Sequence, residues 1–243
     1  MKGNLLHSIL EYYSLNWAFL LELFFKHLLM SVYGVLFACI IGIPIGIFIA
    51  KYKRLSWPII TIANIIQTVP AIAMLAILML AMGLGPTTVV VTVFLYSLLP
   101  IIKNTYTGIV EVDDNIKDAG KGMGMTGNQI LRMIELPLSL SVIIGGIRIA
   151  LVVAIGIVAI GSFIGAPTLG DIIIRGTNST DGTTFILAGA IPIALIAIII
   201  DIGLRFLEKR LDPTRKNKKT QSQEDQVQRS EERRVGKECR SRW

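Results

Sequence analysis

Apolar residues lie in five blocks separated by polar segments, and the blocks have about the length of membrane spans. They cover residues 28–50, 58–82, 87–102, 141–164 and 184–206, and a helix needs roughly 20 residues to cross a bilayer. The third block is the shortest. Prolines 44, 70, 100 and 192 lie in or near the blocks and can kink these helices. The pattern predicts an all-α integral membrane protein with about five transmembrane helices.

Residues 1–27 precede the first block and are more mixed in character. The segment 17–25 is apolar, but Glu22, Lys26 and His27 interrupt the apolar run. Because it is too short to span, we expect it to lie at the external interface or to extend the first span. No basic region followed by a short apolar run and a small-residue cleavage site is present, so no cleavable signal peptide is expected.

Composition and charge agree with a membrane protein. Of the 243 residues, 53% are hydrophobic and 17% are charged, whereas soluble domains carry about 25% charge. The net charge of +7 is concentrated in residues 207–243, which hold 12 Lys and Arg against 7 Asp and Glu. A basic tail is typical of a cytoplasmic end, so no nucleic-acid partner is expected.

The end of the chain has a different character. Residues 229–243 (RSEERRVGKECRSRW) have no apolar periodicity and resemble translated vector sequence, so no functional role is expected for them. Cys239 lies in this segment and Cys39 in the first block, and a disulfide between them is not expected.

The distribution of Lys and Arg predicts the orientation. Lys51, Lys53 and Arg54 follow the first block with no acidic residue among them, and the tail is the other basic segment. The positive-inside rule places both in the cytoplasm. Five spans then put the N-terminus outside, and they put the nearly neutral connector 103–140 inside by parity.

The connector 103–140 is too long for a simple turn and predicts two short helices. Asp113 is placed to cap a helix over residues 114–123, and Gly124 suits the left-handed residue that ends it. Thr126 and Gln129 form a capping box that predicts a second helix through Glu135, ending before Pro137. Apolar residues at positions 130, 133 and 134 predict one stripe along this helix. Such a knob either packs on the membrane domain or docks into a groove of a partner.

The same connector carries a recognisable motif. Asp118-Ala119-Gly120-x3-Gly124-x9-Ile134-x-Leu136-Pro137 resembles the coupling motif of the membrane subunits of ABC importers, E-A-A-x3-G-x9-I-x-L-P. The spacing agrees throughout, while Asp118 and Gly120 replace the usual Glu and Ala. The resemblance implies that this coupling loop contacts an ATPase subunit. The implied coupling residues are Asp118, Ala119, Gly120, Met123, Gly124, Ile134, Leu136 and Pro137.

Further stretches narrow the family. They include Gln67-Thr68-Val69-Pro70, Tyr96-Ser97-Leu98-Leu99-Pro100, Ser162-Phe163-Ile164-Gly165, Leu169-Gly170-Asp171 and Ile191-Pro192-Ile193-Ala194. Over residues 28–211 the chain resembles the permease subunits of osmoprotectant importers, which carry glycine betaine, carnitine or choline. The resemblance implies a type I ABC importer permease fold in the cytoplasmic membrane of a bacterium.

The resemblance also implies partners. They are ATPase subunits, a second permease that is like or unlike this chain, and an extracellular solute-binding protein. No Gly-x4-Gly-Lys-Ser/Thr loop occurs in the sequence, so this chain is not expected to be an enzyme, and ATP and Mg²⁺ are expected on the separate ATPase. No catalytic or metal-binding residues are predicted.

Residues inside the spans give candidates for three roles. Arg148 and Asp201 lie at matching depths, so they are predicted to form a structural ion pair, with an Asp201–Arg205 pair as the alternative. Gly42-x3-Gly46 and Gly161-x3-Gly165 predict close helix contacts. Quaternary ammonium groups favour aromatic faces, so aromatic and polar span residues are the candidates for the translocation path. Aromatic residues in spans are more often core residues or interface anchors. The candidates are Asn64, Gln67, Thr68, Tyr96, Ser97, Asn104 and Tyr106.

Three alternatives stay open at this point. The chain is compatible with an ABC permease for another small solute, such as an amino acid, or with an exporter. An ATP-independent channel is a different class, and it leaves the two-helix loop without a purpose. A membrane enzyme would need catalytic groups at membrane depth, and His7 and His27 have no partner pattern and are expected at the interface.

Overall fold

The computed structural model describes residues 5–180 and 182–211, and all the regular elements in these ranges are helical. The basic tail from residue 212, the vector-like segment 229–243 and Cys239 lie outside the described residues. Three short segments supplement the α-helices: 3₁₀ turns at Lys53–Leu55 and Gly161–Ile164, and a π turn at Leu131–Glu135. The α-helices are α1 (Leu5–Lys51), α2 (Ser56–Thr68), α3 (Ala71–Met82), α4 (Pro86–Val110), α5 (Asp114–Gly122), α6 (Gly127–Ile130), α7 (Leu136–Ile160), α8 (Gly170–Thr177) and α9 (Thr183–Leu211).

Helix α1 is much longer than a bilayer is thick. Its 47 residues correspond to about 70 Å at 1.5 Å per residue. Only Asn16 departs from helical geometry, with φ −120° and ψ 18°. The segment 17–25 therefore extends the first span, and Leu23 is buried against residues of α7, α8 and α9. No break in the helix marks the predicted boundary at residue 27.

The second apolar block is not one straight helix. The helical stretches Lys53–Thr68 and Ala71–Met82 meet at an angle of 94°. Pro70 explains the position of the break, because it lacks an N–H and pushes the preceding Val69 into an extended conformation, with ψ 130°. Among the described residues, four helices are long and apolar enough to cross a membrane, or five if this bent pair is one span.

The coupling loop is shorter than the predicted 103–140. Helix α4 continues to Val110 and α7 starts at Leu136, so the connector comprises residues 111–135. The last turns of α4 and the first turns of α7, which were predicted to belong to the connector, pack on each other. A Cβ added at Gly108 would lie 3.1 Å from Ser139 Cβ. Hydropathy missed these turns because polar residues such as Lys103 and Asn104 lie within them.

Small residues allow a close contact between α1 and α4. Gly42 packs on the Ile101 side chain and Gly46 on the Thr105 side chain, so α1 contributes no side chain of its own at these points. Gly161 packs in the same way on Val89. These contacts confirm the predicted packing for three glycines. Gly165 differs: its φ of 76° ends the 3₁₀ turn in the left-handed conformation.

A side chain at position 46 is expected to destabilise the fold. In Gly46→Val the Cβ would lie 2.5 Å from Thr105 Cβ and 3.0 Å from the Ile102 carbonyl oxygen, and overpacking of this kind costs about 1–3 kcal/mol. Gly203→Val is the matched control, because no neighbouring atom lies within 4 Å of the position that its Cβ would take. Thermal unfolding in detergent should show a lower midpoint for Gly46→Val alone, and equal midpoints would contradict this contact.

Candidate functional site: coupling loop and charge cluster

The first helix of the coupling loop, α5, is fixed by its own polar residues. The Asp113 carboxylate accepts a hydrogen bond from the Asn115 N–H at 2.9 Å, as the capping prediction requires. Lys117 pairs with Asp114 at 3.0 Å and Lys121 with Asp118 at 2.8 Å. The hydrogen bond from Lys117 lowers the pKa of Asp114, and the hydrogen bond to Asp118 raises the pKa of Lys121.

The corner between the two helices is built on Gly124. Its φ of 80° lies in the left-handed region, which L-residues with a side chain rarely adopt. The N–H groups of Gly124 and Met125 donate to the carbonyls of Lys121 and Gly120 at 2.9 Å and 3.1 Å, and these bonds close the end of α5. The structure therefore has the predicted corner at the predicted residue.

The second helix begins as predicted but does not end where predicted. Gln129 Oε1 accepts hydrogen bonds from the Thr126 N–H and hydroxyl, at 2.7 Å and 3.0 Å. The chain then remains helical from Gly127 to Ile164, so the predicted stop before Pro137 is wrong. A π turn over Leu131–Glu135, closed by a bond from the Leu136 N–H to the Leu131 carbonyl, precedes Pro137 in the first turn of α7. A proline is tolerated there because the wider turn does not need its missing N–H.

The coupling loop has an inner and an outer side. Gly120 is buried, and a Cβ there would lie 2.9 Å from Ile134 Cδ1 and 3.6 Å from Ile130 Cγ1. Ile130 and Ile134 therefore hold α5 against the second helix. Met133 is 68% exposed, so the predicted single stripe is wrong, because the π turn rotates position 133 outward.

The outer side exposes small and apolar residues. Ala119 is exposed, Met123 is 75% exposed, and Ile116 is exposed beside them. Leu136 is half-buried and Pro137 is exposed at the start of α7. Exposed methionines next to a small residue form a surface that adapts to a partner, so the outer side has the character of a docking surface.

A cluster of charges joins α7 to α9 near the coupling loop. Arg148 Nη1 lies 3.0 Å from Asp201 Oδ1, and Arg205 Nη2 lies 2.8 Å from Asp201 Oδ2. Both pairings considered from the sequence therefore exist together. Glu208 Oε2 lies 3.3 Å from Arg148 Nε without the alignment of a hydrogen bond. Sequence analysis missed Glu208 because it placed this residue in the tail beyond the last span.

Two of the candidate path residues form a tether between helices. Gln67 Nε2 donates to the Tyr96 carbonyl at 2.8 Å, and that carbonyl lacks its usual helical donor because residue 100 is a proline. The Tyr96 hydroxyl donates in turn to the Val69 carbonyl. These two bonds tie the bend between α2 and α3 to the kink of α4.

Removing the amide of the tether is expected to destabilise the bend. In Gln67→Leu the Tyr96 carbonyl is left without a donor, which costs about 1–3 kcal/mol for a buried group. The control is Thr68→Val, because the Thr68 hydroxyl is exposed and bonds only to Ile65 of its own helix. The unfolding midpoint in detergent should fall for Gln67→Leu and stay near wild type for Thr68→Val. A similar fall in both would show that the tether does not stabilise the bend.

The other candidate path residues do not converge on one surface. Asn64 and Thr68 are exposed on α2, whereas Ser97 is buried in α4. Asn104 is half-buried and donates to the Pro100 carbonyl at 2.7 Å, and Tyr106 is also half-buried. Within the described part of the chain, Asn64 and Thr68 are therefore the candidates most available to a second subunit or a solute.

His27 lies inside the protein. Its side chain is fully buried, with Nε2 3.1 Å from the Ile155 carbonyl, so it joins α1 to α7. A lone histidine in an apolar segment gave no signal for this contact in the sequence. The expected position of His27 at the membrane interface stays a prediction.

Comparisons with known proteins agree with the geometry. A permease protein of the glycine betaine/carnitine/choline transport system of Bacillus subtilis (strain 168), OpuCD, is 59% identical over 215 residues, covering 88% of this chain and 94% of that protein. OpuCB, a permease of that same system, is 39% identical over 195 residues, covering 79% and 89%. A chain of the MetNI methionine ABC transporter in an inward-facing conformation has the same fold, with a TM-score of 0.70 at 21% identity, covering 81% of this chain and 97% of that chain.

The helical fold and the two-helix loop define a multi-pass membrane subunit of a transport system. The chain belongs to the family of binding-protein-dependent transport system inner membrane components, whose family pattern matches residues 42–213. The predicted type I ABC importer permease fold and the predicted family are thereby confirmed.

Proposed function

We propose that this chain is the permease subunit of an ATP-driven importer and forms part of the translocation path for a compatible solute such as glycine betaine, carnitine or choline. The 59% identity to OpuCD over nearly the whole of that protein carries the proposal. The fold and the exposed outer side of the coupling loop support the proposal, because the permease of an ATP-driven importer needs a rigid surface on which the ATPase subunit docks.

ATP hydrolysis takes place on a separate ATPase subunit in this proposal, with ATP and Mg²⁺ bound there. The sequence has no phosphate-binding loop of its own. Ala119 and Met123 present the docking surface, and Gly120, Gly124 and Ile134 hold it in place through the contacts described above. Leu136 and Pro137 are the first residues of α7, and the second coupling helix continues into α7 without a break. A displacement of the loop would therefore reach the membrane domain through one continuous helix.

Two further partners belong to this proposal. A second permease completes the path, and an unlike subunit is favoured because the chain resembles two different permeases of one transport system. An extracellular solute-binding protein delivers the solute on the side opposite the coupling loop.

Solute uptake by the complete transporter tests the proposal. Cells that express this chain with its neighbouring transporter genes should accumulate labelled glycine betaine, carnitine or choline, and uptake should stop when ATP is depleted. Uptake of an amino acid instead would identify another solute, and ATP-driven release of solute would identify an exporter. Flux that persists without ATP would identify a channel and would overturn the proposal.

The proposed orientation gives a separate prediction. With the coupling loop in the cytoplasm, a reporter inserted near Asn128 should be cytoplasmic and one near Asn178 external. Lys51, Lys53 and Arg54 support this arrangement by the positive-inside rule. Alkaline phosphatase fusions measure external positions, and fluorescent protein fusions measure cytoplasmic ones. A cytoplasmic Asn178 would contradict the arrangement.

A further inference from the structure

A cavity of about 340 Å³ lies between the coupling loop and the membrane helices. Its apolar wall comes from the last turns of two spans, with Ile47 from α1 and Ile109 from α4, and Ile130 of the second coupling helix closes it. The cavity therefore opens where the membrane spans end, at the depth of lipid headgroups.

Four lysines converge on this cavity. Lys51 and Lys53 come from the end of α1 and the following turn, and Lys117 and Lys121 come from α5. Two carboxylates, Asp114 and Glu135, also line it, so the lining carries an excess of positive charge.

The lysines differ in whether they already have an ion-pair partner. Lys117 is bound to Asp114 and Lys121 to Asp118, whereas Lys51 and Lys53 have no ion-pair partner among residues 5–180 and 182–211. Lys117 lowers the pKa of Asp114, and the charges of Lys53 and Lys121 lower it further. All three lysines therefore act on the same carboxylate. A further anion would meet the unused charge of Lys51 and Lys53.

We propose that this cavity binds a phosphate group, and that the phosphate belongs to the headgroup of an anionic phospholipid in the leaflet next to the coupling loop. Compact ammonium groups suit a phosphate as point charges. Basic pockets beside membrane helices are suited to anionic headgroups, and the apolar wall leads from the cavity to the acyl-chain region. The bound headgroup would link Lys51 and Lys53 to Lys117, and so would hold α5 at a fixed distance from the membrane.

Lipid binding to the purified full-length chain tests the proposal. Native mass spectrometry in detergent should show retention of phosphatidylglycerol at concentrations where phosphatidylcholine is lost. Lys51→Gln/Lys53→Gln should weaken retention at least about tenfold, a loss of roughly 1.4 kcal/mol in binding, and Lys51→Arg/Lys53→Arg should restore it. Lys209→Gln/Arg210→Gln is the matched control, because these exposed residues lie at the end of α9, outside the cavity. Unchanged unfolding midpoints show that each variant is folded.

Further outcomes of this experiment distinguish a bound lipid from a free phosphate compound and from a protein partner. Inorganic phosphate that competes as strongly as phosphatidylglycerol would assign the site to a free phosphate compound and overturn the lipid source. Equal loss of lipid in the Lys209/Arg210 control would show general attraction to basic residues and overturn the cavity site. Variants at Lys51 and Lys53 that keep the lipid but lose the ATPase during purification would show that these lysines face a protein, which also overturns the proposal.

Discussion

Replacing Arg148 with methionine is expected to destabilise the membrane domain more than any other single change in the charge cluster. Two carboxylates, those of Asp201 and Glu208, lie 3.0 Å and 3.3 Å from its guanidinium. Removing one partner of a buried ion pair costs about 3–5 kcal/mol. Since the three side chains are 24%, 28% and 30% exposed, we expect a smaller loss of about 2 kcal/mol.

The charge cluster predicts that replacing Arg148 and replacing Asp201 lower the stability by different amounts. Asp201→Asn leaves Arg148 with Glu208, whereas Arg148→Met leaves two carboxylates with Arg205 as the one remaining cation among the described contacts. Asp201→Asn should therefore lower the unfolding midpoint less, and the double variant should lose less than the two single losses added together.

The measurement is a double-mutant cycle on unfolding in detergent. Arg210→Met serves as the control, because Arg210 is exposed on the same helix, where its guanidinium carbon lies 4.6 Å from the centre of the Phe206 ring. Strictly additive losses would show that Arg148 and Asp201 do not interact. An Asp201→Asn loss as large as that of Arg148→Met would show that Glu208 contributes nothing.

Features set by neighbouring residues could be predicted from the sequence. The Asp113 cap, the left-handed Gly124 and the Thr126–Gln129 capping box depend on side chains no more than a few positions apart. Their chemistry is the same in any fold, so the pattern alone was sufficient to place the corner of the coupling loop.

Features set by distant contacts could not be predicted. Helix continues through Pro137 because a π turn precedes it and Ser139 packs on Gly108. Pro70 indicated where the second span bends, but nothing in its sequence indicated the 94° angle between the two halves. The tether from Gln67 to Tyr96 needs the fold to bring the two residues together, so the pattern of polarity gave no signal for this contact.

Gly124 and Ala119 are expected to affect coupling at different points of the same loop. Gly124 has φ 80°, and no neighbouring atom lies within 4 Å of the position that a Cβ would take, so Gly124→Val is strained by its backbone and not by a clash. Left-handed geometry costs about 1–2 kcal/mol for an L-residue, and a valine escapes it by moving α5. Gly122→Val is the matched control, because Gly122 is also exposed and free of neighbours but has ordinary helical geometry.

Ala119→Arg leaves the fold of the loop intact and changes its outer side alone. The residue is exposed in α5, so an arginine fits the isolated chain but places bulk and charge where the ATPase is proposed to dock. Ala119→Ser keeps the surface small and serves as its control. Gly124→Val and Ala119→Arg should each reduce solute uptake roughly tenfold or more, as a docking loss of about 1.4 kcal/mol implies, while the controls transport normally.

Four measurements separate failed coupling from failed folding in these variants. Membrane insertion and the unfolding midpoint should stay close to wild type, because no residue of a span changes. Co-purification of the ATPase and ATP hydrolysis stimulated by the solute-binding protein should both fall with uptake. If Ala119→Arg and Gly124→Val keep full uptake and full stimulated hydrolysis, the loop is only a connector between α4 and α7. Energy from ATP would then have to enter the membrane domain through another surface.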